Sequence, residues 1–228
     1  MVASRSSAYV ALVRHADYRQ QPDTPSAWQP WPLSRQGVQQ CIEGIEELRQ
    51  FIRDCALPTP LEIHSSSLLR AWQTAQAFAS ALGIPPDGII STDQLTERSV
   101  GSVANLTLAD IERAIALDPR YEKPPENWKS SPHYRLPFPG AESLREAGER
   151  VASYIEQTIH QFSDSNQLHV FVGHGASLRH AAWHLGVFAE REVAQHSMFH
   201  ARPVILQHTG GEWLKIHGEW KPRRSHLD

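Results

Sequence analysis

Two short apolar runs constrain this chain more than any other feature. "YVALVR" at 9–14 and "LHVFVG" at 168–173 each read as a buried strand, and each is followed at once by a histidine, His15 and His174. Between them lie stretches with helical spacing. Ser34 stands as an N-cap before a helix to about Asp54, with Val38, Cys41, Ile42, Ile45, Leu48 and Ile52 near that spacing. "PLEIHSS" reads as a second strand and is followed by a helix from about Leu68 to Leu82, and "GIIST" is a third short strand. A helix from about Ala141 to Phe162 precedes the fourth strand, LHVFVG, and "ASLRHAAWHL" forms another directly after it. "PVILQHTGGEWLKIH" is a β-hairpin whose glycine pair permits a tight turn. Strands alternating with helices predict an α/β fold: a three-layer sandwich, its central sheet mostly parallel, with helices on both faces.

The expected organisation is one domain over residues 1–228 with an insertion at about 105–140. That insertion carries one short helix and then a polar, proline-rich stretch, "DPRYEKPPENWKSSPHYRLPFPG". So long an irregular segment in a compact domain reads as a lid. Its aromatics Tyr121, Trp128, Tyr134 and Phe138 either anchor it to the core or pack on a substrate's organic part. The connection "RQQPDTPSAWQPWP" is too broken by proline for a helix or strand.

A net charge of −3 argues against a general nucleic-acid or membrane-surface binder, because both want a basic face. No stretch approaches the roughly 18 apolar residues of a membrane span. The first apolar run is interrupted by Arg14 and lacks a cleavage pattern, so a cytoplasmic protein is expected. Cys41 and Cys55 fall near the two ends of one predicted helix. A rise of about 1.5 Å per residue holds them roughly 21 Å apart, too far for a bridge, and reduced thiols follow. The tail "KPRRSHLD" reads as a solvated end.

Taken singly, a histidine at a strand end is an ordinary solvated or structural residue. Two of them at the same edge of one α/β sheet, where open sheets place their ligands, point to chemistry. Gly175 and Ala176 open a helix beside His174, and their backbone N–H groups with the helix dipole suit an anion. Arg14 adds a fixed positive charge next to His15, and Arg70, at the start of the helix after "SSS", offers a second guanidinium. Glu97, just beyond the third strand, is a candidate proton donor. His180 and His184 stand four apart on one helix as metal ligands would, but no carboxylate or cysteine is placed to complete a site. No metal or cofactor is expected.

These residues lie in six segments that together resemble the histidine phosphatase superfamily, the phosphoglycerate-mutase-like proteins. They are "LVRHA" (with Ala16 in place of the usual glycine), "PLSRQGVQQ", "SSSLLRAWQTA", "LTERSVG", "FPGAESLREAGERV" and "VFVGHGASLR", in the family's order along nearly the whole chain. The resemblance implies that His15 attacks phosphorus and becomes phosphohistidine. It implies that Arg14, Arg70 and His174 hold the phosphoryl group, and that Glu97 protonates the leaving oxygen.

The family contains mutases and phosphatases. In its mutases the glutamate loop resembles ERHYGxxxGxxK, with groups that grip a second phosphate or carboxylate. Here "ERSVGSVANLTL" keeps Glu97, Arg98 and Gly101 but has Val100, Asn105 and Leu108 where the tyrosine, second glycine and lysine stand. Ala176 likewise replaces an asparagine. Hydrolysis of a phosphomonoester without metal is therefore expected, on a phosphorylated small molecule or a phosphoprotein. A mutase, or a non-catalytic phosphate-binding protein, is the alternative.

Overall fold

The computed structural model describes residues 7–24, 28–161 and 166–223. Phe162 and the last five residues of the tail lie outside them. The chain runs β1 (Ser7–Arg14), α1 (Arg35–Asp54), β2 (Ile63–Ser66), α2 (Leu69–Leu82), β3 (Ile89–Thr92), α3 (Leu108–Leu117) and α4 (Leu144–His160). Then follow β4 (Leu168–Gly173), α5 (Gly175–His184), α6 (Glu190–Val193), β5 (His196–Met198), β6 (Pro203–Thr209), β7 (Glu212–His217) and β8 (Trp220–Pro222).

Six strands form one sheet in the order β3-β2-β4-β1-β6-β7. The β2/β3, β2/β4 and β1/β4 pairs are parallel, and the hairpin β6/β7 adds two antiparallel strands beyond β1. The pleat sends alternate residues to opposite faces. Ala11, Val13, Val170, Val172 and Ile205 pack in one cluster with residues of α1 and α2. Val10, Leu12, Phe171, Val204 and Leu206 pack in a second cluster with residues of α4 and α5. This is the three-layer α/β architecture, buried on both faces, that the two apolar runs predict. Each large aliphatic side chain so buried contributes about 1.5–3 kcal/mol.

Several details depart from the sequence reading. Helix α1 does start at the Ser34 cap, whose Oγ accepts from the Gly37 N–H at 3.0 Å. Its inner face, however, is Gly37, Cys41, Gly44, Ile45, Leu48 and Phe51, while Val38 and Ile42 are 55% and 57% exposed. Two glycines set this phase. A Cβ on Gly37 would lie 2.0 Å from the Asp17 carbonyl oxygen, and one on Gly44 would lie 1.9 Å from that of Ala201. Contact at these two positions is backbone to backbone, and the large side chains of the inner face are Ile45, Leu48 and Phe51. Cys41 is buried, Cys55 is exposed, and both thiols are free.

Helix α4 begins three residues later than Ala141, because Ser143 and Glu146 close a reciprocal capping box. The small β5/β8 sheet has no counterpart in the sequence reading. The insertion forms α3, and its Ile111, Ile115, Trp128 and Leu136, with Tyr121, Tyr134 and Phe138, pack with Val100 and Val103 of the preceding glutamate loop into a separate hydrophobic cluster. Trp128 Nε1 donates to Glu112 at 3.1 Å. The four aromatics therefore anchor the insertion. Among the described residues no helix is long and apolar enough to cross a membrane.

Candidate active site

Strands β1 and β4 are parallel neighbours in register, with Arg14 opposite Gly173, so His15 and His174 leave the same edge side by side. Their ring centroids are 5.0 Å apart, and both rings are buried. His15 Nδ1 lies 2.8 Å from the Ala16 carbonyl oxygen. A carbonyl only accepts, so Nδ1 carries the proton and Nε2 keeps its lone pair. Burial, with Arg70, His174, Arg14 and His200 adding positive charge, holds His15 well below the usual histidine range. It is neutral near pH 7.

His174 has the opposite tautomer. Arg70 Nη2 donates to its Nδ1 at 3.1 Å, so Nε2 carries the proton and donates to Ser66 Oγ at 2.8 Å. Burial, then Arg70 and Arg14, keep it far below its ordinary value and likewise neutral. Arg70 is fully buried near the start of α2, where Nη1 donates to the Gln29 carbonyl at 3.2 Å and its guanidinium lies 4.7 Å from the Tyr18 ring centroid. Arg14 donates through Nη1 to the Met198 carbonyl at 3.0 Å, while its buried Nε has no hydrogen-bond partner. Gly175 leaves room for that side chain: a Cβ there would sit 3.1 Å from Arg14 Cδ and Nε.

Glu97 corrects one expectation. The sequence offers the first N–H groups of α5 as an anion site, but the Ala176 and Ser177 N–H groups already donate to Glu97, at 3.2 and 3.0 Å. The Arg98 N–H donates to it as well, at 2.9 Å. The helix N-terminus thus fixes the glutamate beside His174, and among α5's first-turn amides only that of Gly175 is left unbonded. Arg150 of α4 clamps the loop from outside. It pairs with Glu142 at 2.8 Å and donates to the carbonyls of Gln94 and Thr96 at 2.8 and 3.3 Å.

His180 and His184 each turn a ring nitrogen to a backbone carbonyl, that of Ala176 at 2.7 Å and that of Arg145 at 3.1 Å respectively. They serve packing on α5. The sequence reading overlooked His200, whose ring centroid lies 5.5 Å from that of His15. It enters because β6 pairs antiparallel with β1, which brings the loop before β6 to the end of β1. It also overlooked Arg179, which is buried like Arg98 of the glutamate loop.

A mostly parallel sheet with two histidines and two arginines gathered at its carboxyl edge defines a phosphoglycerate-mutase-like α/β protein. Residues 10–218 match the histidine phosphatase superfamily, branch 1, and the chain belongs to that family. It is 25% identical over 201 residues to a 2,3-bisphosphoglycerate-dependent phosphoglycerate mutase of Parvibaculum lavamentivorans, covering 87% of this chain and 89% of that one. In fold it is similar to the phosphoglycerate mutase of Bacillus anthracis (TM-score 0.71, 16% identity, 98% and 95% of the two chains covered). It is similar also to a mycobacterial glucosyl-3-phosphoglycerate phosphatase (TM-score 0.68, 19% identity, 95% and 98% covered). Mutases stand among its relatives in sequence, and both mutases and phosphatases share its fold.

Proposed function

We propose that this protein is a metal-independent phosphomonoester hydrolase that works through a phosphohistidine on His15. The observation that carries the reading is the tautomer of His15: Nδ1–H bound to the Ala16 carbonyl, leaving an unprotonated Nε2 among Arg14, Arg70 and His174. A neutral imidazole is a competent nucleophile near pH 7. In the first step the Nε2 lone pair bonds to phosphorus, the P–O ester bond breaks, and Glu97 gives its proton to the departing alcohol oxygen. In the second, water attacks the phosphoryl group, Glu97 takes its proton, and the N–P bond breaks to release phosphate. Arg14, Arg70, the Gly175 N–H and the Nε2–H of His174, once it turns from Ser66 Oγ, stabilise the phosphoryl oxygens, which is most of what phosphoryl transfer requires.

Hydrolysis is favoured over mutase chemistry by the insertion. Val100, at the place of the mutase tyrosine, is 2% exposed in the cluster that the glutamate loop shares with the insertion, and Leu108 packs against the same cluster. Those two positions offer no grip on a substrate. Asn105 is a neutral replacement, since it adopts the left-handed φ of 69° that a glycine would otherwise supply.

The test is His15→Ala. It abolishes hydrolysis of p-nitrophenyl phosphate with the circular dichroism spectrum unchanged, and rapid quench of the native protein yields an acid-labile, base-stable label on His15. Full activity of the variant ends the phosphohistidine reading. Efficient conversion of 3-phosphoglycerate to 2-phosphoglycerate with a 2,3-bisphosphoglycerate primer reinstates the mutase.

A further inference from the structure

The segment "FPGAESLREAGERV" supplies no group to the proposed chemistry, yet two of its residues hold the loop that carries Glu97. Arg150 stands about two turns into α4 with its side chain 18% exposed. Its planar fork works on two sides at once. Nε and Nη2 donate to the two carboxylate oxygens of Glu142 at 2.9 and 2.8 Å. Nη1 turns to the loop after β3, where the carbonyls of Asp93, Gln94 and Thr96 converge on it at 3.3, 2.8 and 3.3 Å. Three carbonyls gathered on one nitrogen fix the curve of the chain just before Glu97.

Glu142 holds the chain just after it. Its Oε2 accepts from the Ser99 N–H at 3.1 Å, and its own backbone N–H donates to the Ser99 carbonyl at 2.8 Å. Next to it Ala141 and Val100 form an antiparallel bridge. Thr96 and Ser99 thus bracket Glu97 and Arg98, and both are tied to one ion pair. Glu142 also stands where the insertion ends, and Val100 and Val103 pack with the insertion's apolar side chains. The acid loop, the insertion and α4 therefore meet at this pair.

We propose that Arg150 and Glu142 are positioning residues for Glu97: the ion pair holds the loop so that the carboxyl group stays at the departing oxygen. The inference rests on the reading of Glu97 as the proton donor. Two of the three N–H groups that bind the Glu97 carboxylate belong to α5, so its place depends on the loop keeping its register against that helix. A shift of about 1 Å at a reacting group is worth roughly 10²-fold in rate. The Arg150 fork is taken up by Glu142 and the loop, so it acts on the reaction through Glu97.

The leaving group separates positioning from plain structural support. Arg150→Lys keeps the positive charge and loses the fork, because an ammonium cannot span a carboxylate and three carbonyls. With an alkyl phosphate its kcat/KM falls about 30-fold, and with p-nitrophenyl phosphate, whose leaving group needs no proton, about threefold or less. Inhibition by vanadate, which reads the phosphoryl clamp, stays near the native value. Glu142→Gln shifts the alkyl-to-aryl ratio the same way, since an amide cannot accept from both Nε and Nη2. Arg150→Lys added to Glu97→Gln lowers the alkyl rate no further, because its route to the reaction is already cut. Equal losses of Arg150→Lys on the two esters, native rates on both, a matching loss of vanadate inhibition, or a further loss on top of Glu97→Gln overturns the proposal. Glu97 stays the acid in each of those cases if Glu97→Gln alone is selective for the alkyl ester; if Glu97→Gln treats the esters alike, the acid and its support fall together. Should Arg150→Lys fail to fold, the ratio in Glu142→Gln decides.

Discussion

Acidification gives a sharp test of how the histidines are held. Burial, with Arg179 nearby, takes His180 down to about 3, and burial also takes His169 and His200 to about 4. In the unfolded chain each titrates near 6.5. The native state refuses a proton that the unfolded state accepts, so each neutral histidine supports folding fully above pH 6.5. That support is lost as pH falls toward the native value. At pH 5 the loss is about 1.5 pH units at 1.36 kcal/mol, or about 2 kcal/mol per histidine. The three together lose about 6 kcal/mol, which matches the whole stability of many domains. His15 and His174, also depressed by burial, push in the same direction.

Urea unfolding followed by tryptophan fluorescence at pH 7.5, 6.5, 5.5 and 5.0 measures this. Between pH 5.5 and 5 the unfolding free energy falls by at least about 4 kcal/mol per pH unit, the slope for these three protons alone, and His15 and His174 steepen it. Ordinary carboxylates titrate near 4 and contribute little in that window. His180→Gln lowers the slope by about one proton, whatever it does to absolute stability. An unfolding free energy that is flat from pH 7 to pH 5 shows that the native protein takes up these protons, and the burial argument fails.

Other perturbations address the site. Activity on p-nitrophenyl phosphate should hold from pH 7 down to the onset of unfolding with no limb at 6.5, because His15 is neutral throughout; a limb at 6.5 in folded protein contradicts that. Glu97→Gln should cost on the order of 10²–10⁴ in kcat/KM with an alkyl phosphate and much less with p-nitrophenyl phosphate, whose leaving group needs no proton. Equal losses would remove Glu97 as the acid. Gly148→Ala puts a Cβ 2.4 Å from that of His180, where α4 crosses α5. It should destabilise by about 1–3 kcal/mol in urea, and an unchanged midpoint would refute the close packing of these helices.

Much of the fold was legible because the central strands are apolar runs and the helices carry helical spacing. What misled was the inner face of α1, where Gly37 and Gly44 make the contacts and Val38 and Ile42 turn outward. Apolar spacing marks side-chain contacts and is silent about backbone ones. The β5 and β8 strands have three residues each, too few for an alternating pattern to register. The capping box of Ser143 and Glu146 was present in the sequence as SxxE and would have set the start of α4 correctly.

The site divides along a physical line. His15, His174, Arg70 and Glu97 stand at the ends of strands or the starts of helices, where local patterning locates them. Arg179 lies inside a helix, and a helical arginine reads as solvated. The correct signal was nevertheless there: "GASLRHAAWHL" carries alanine, leucine or another small or apolar residue all around its circumference, and a helix of that kind is buried. An arginine within it is buried too, and its Nη1 donates to the His196 carbonyl. His200 had no such signal, because its approach depends on β6 pairing with β1, a long-range choice. A local rule broken in a well-packed element without internal compensation is where function is to be sought. By that criterion Arg179, buried and bonded to the His196 carbonyl, is a position that packing alone does not explain.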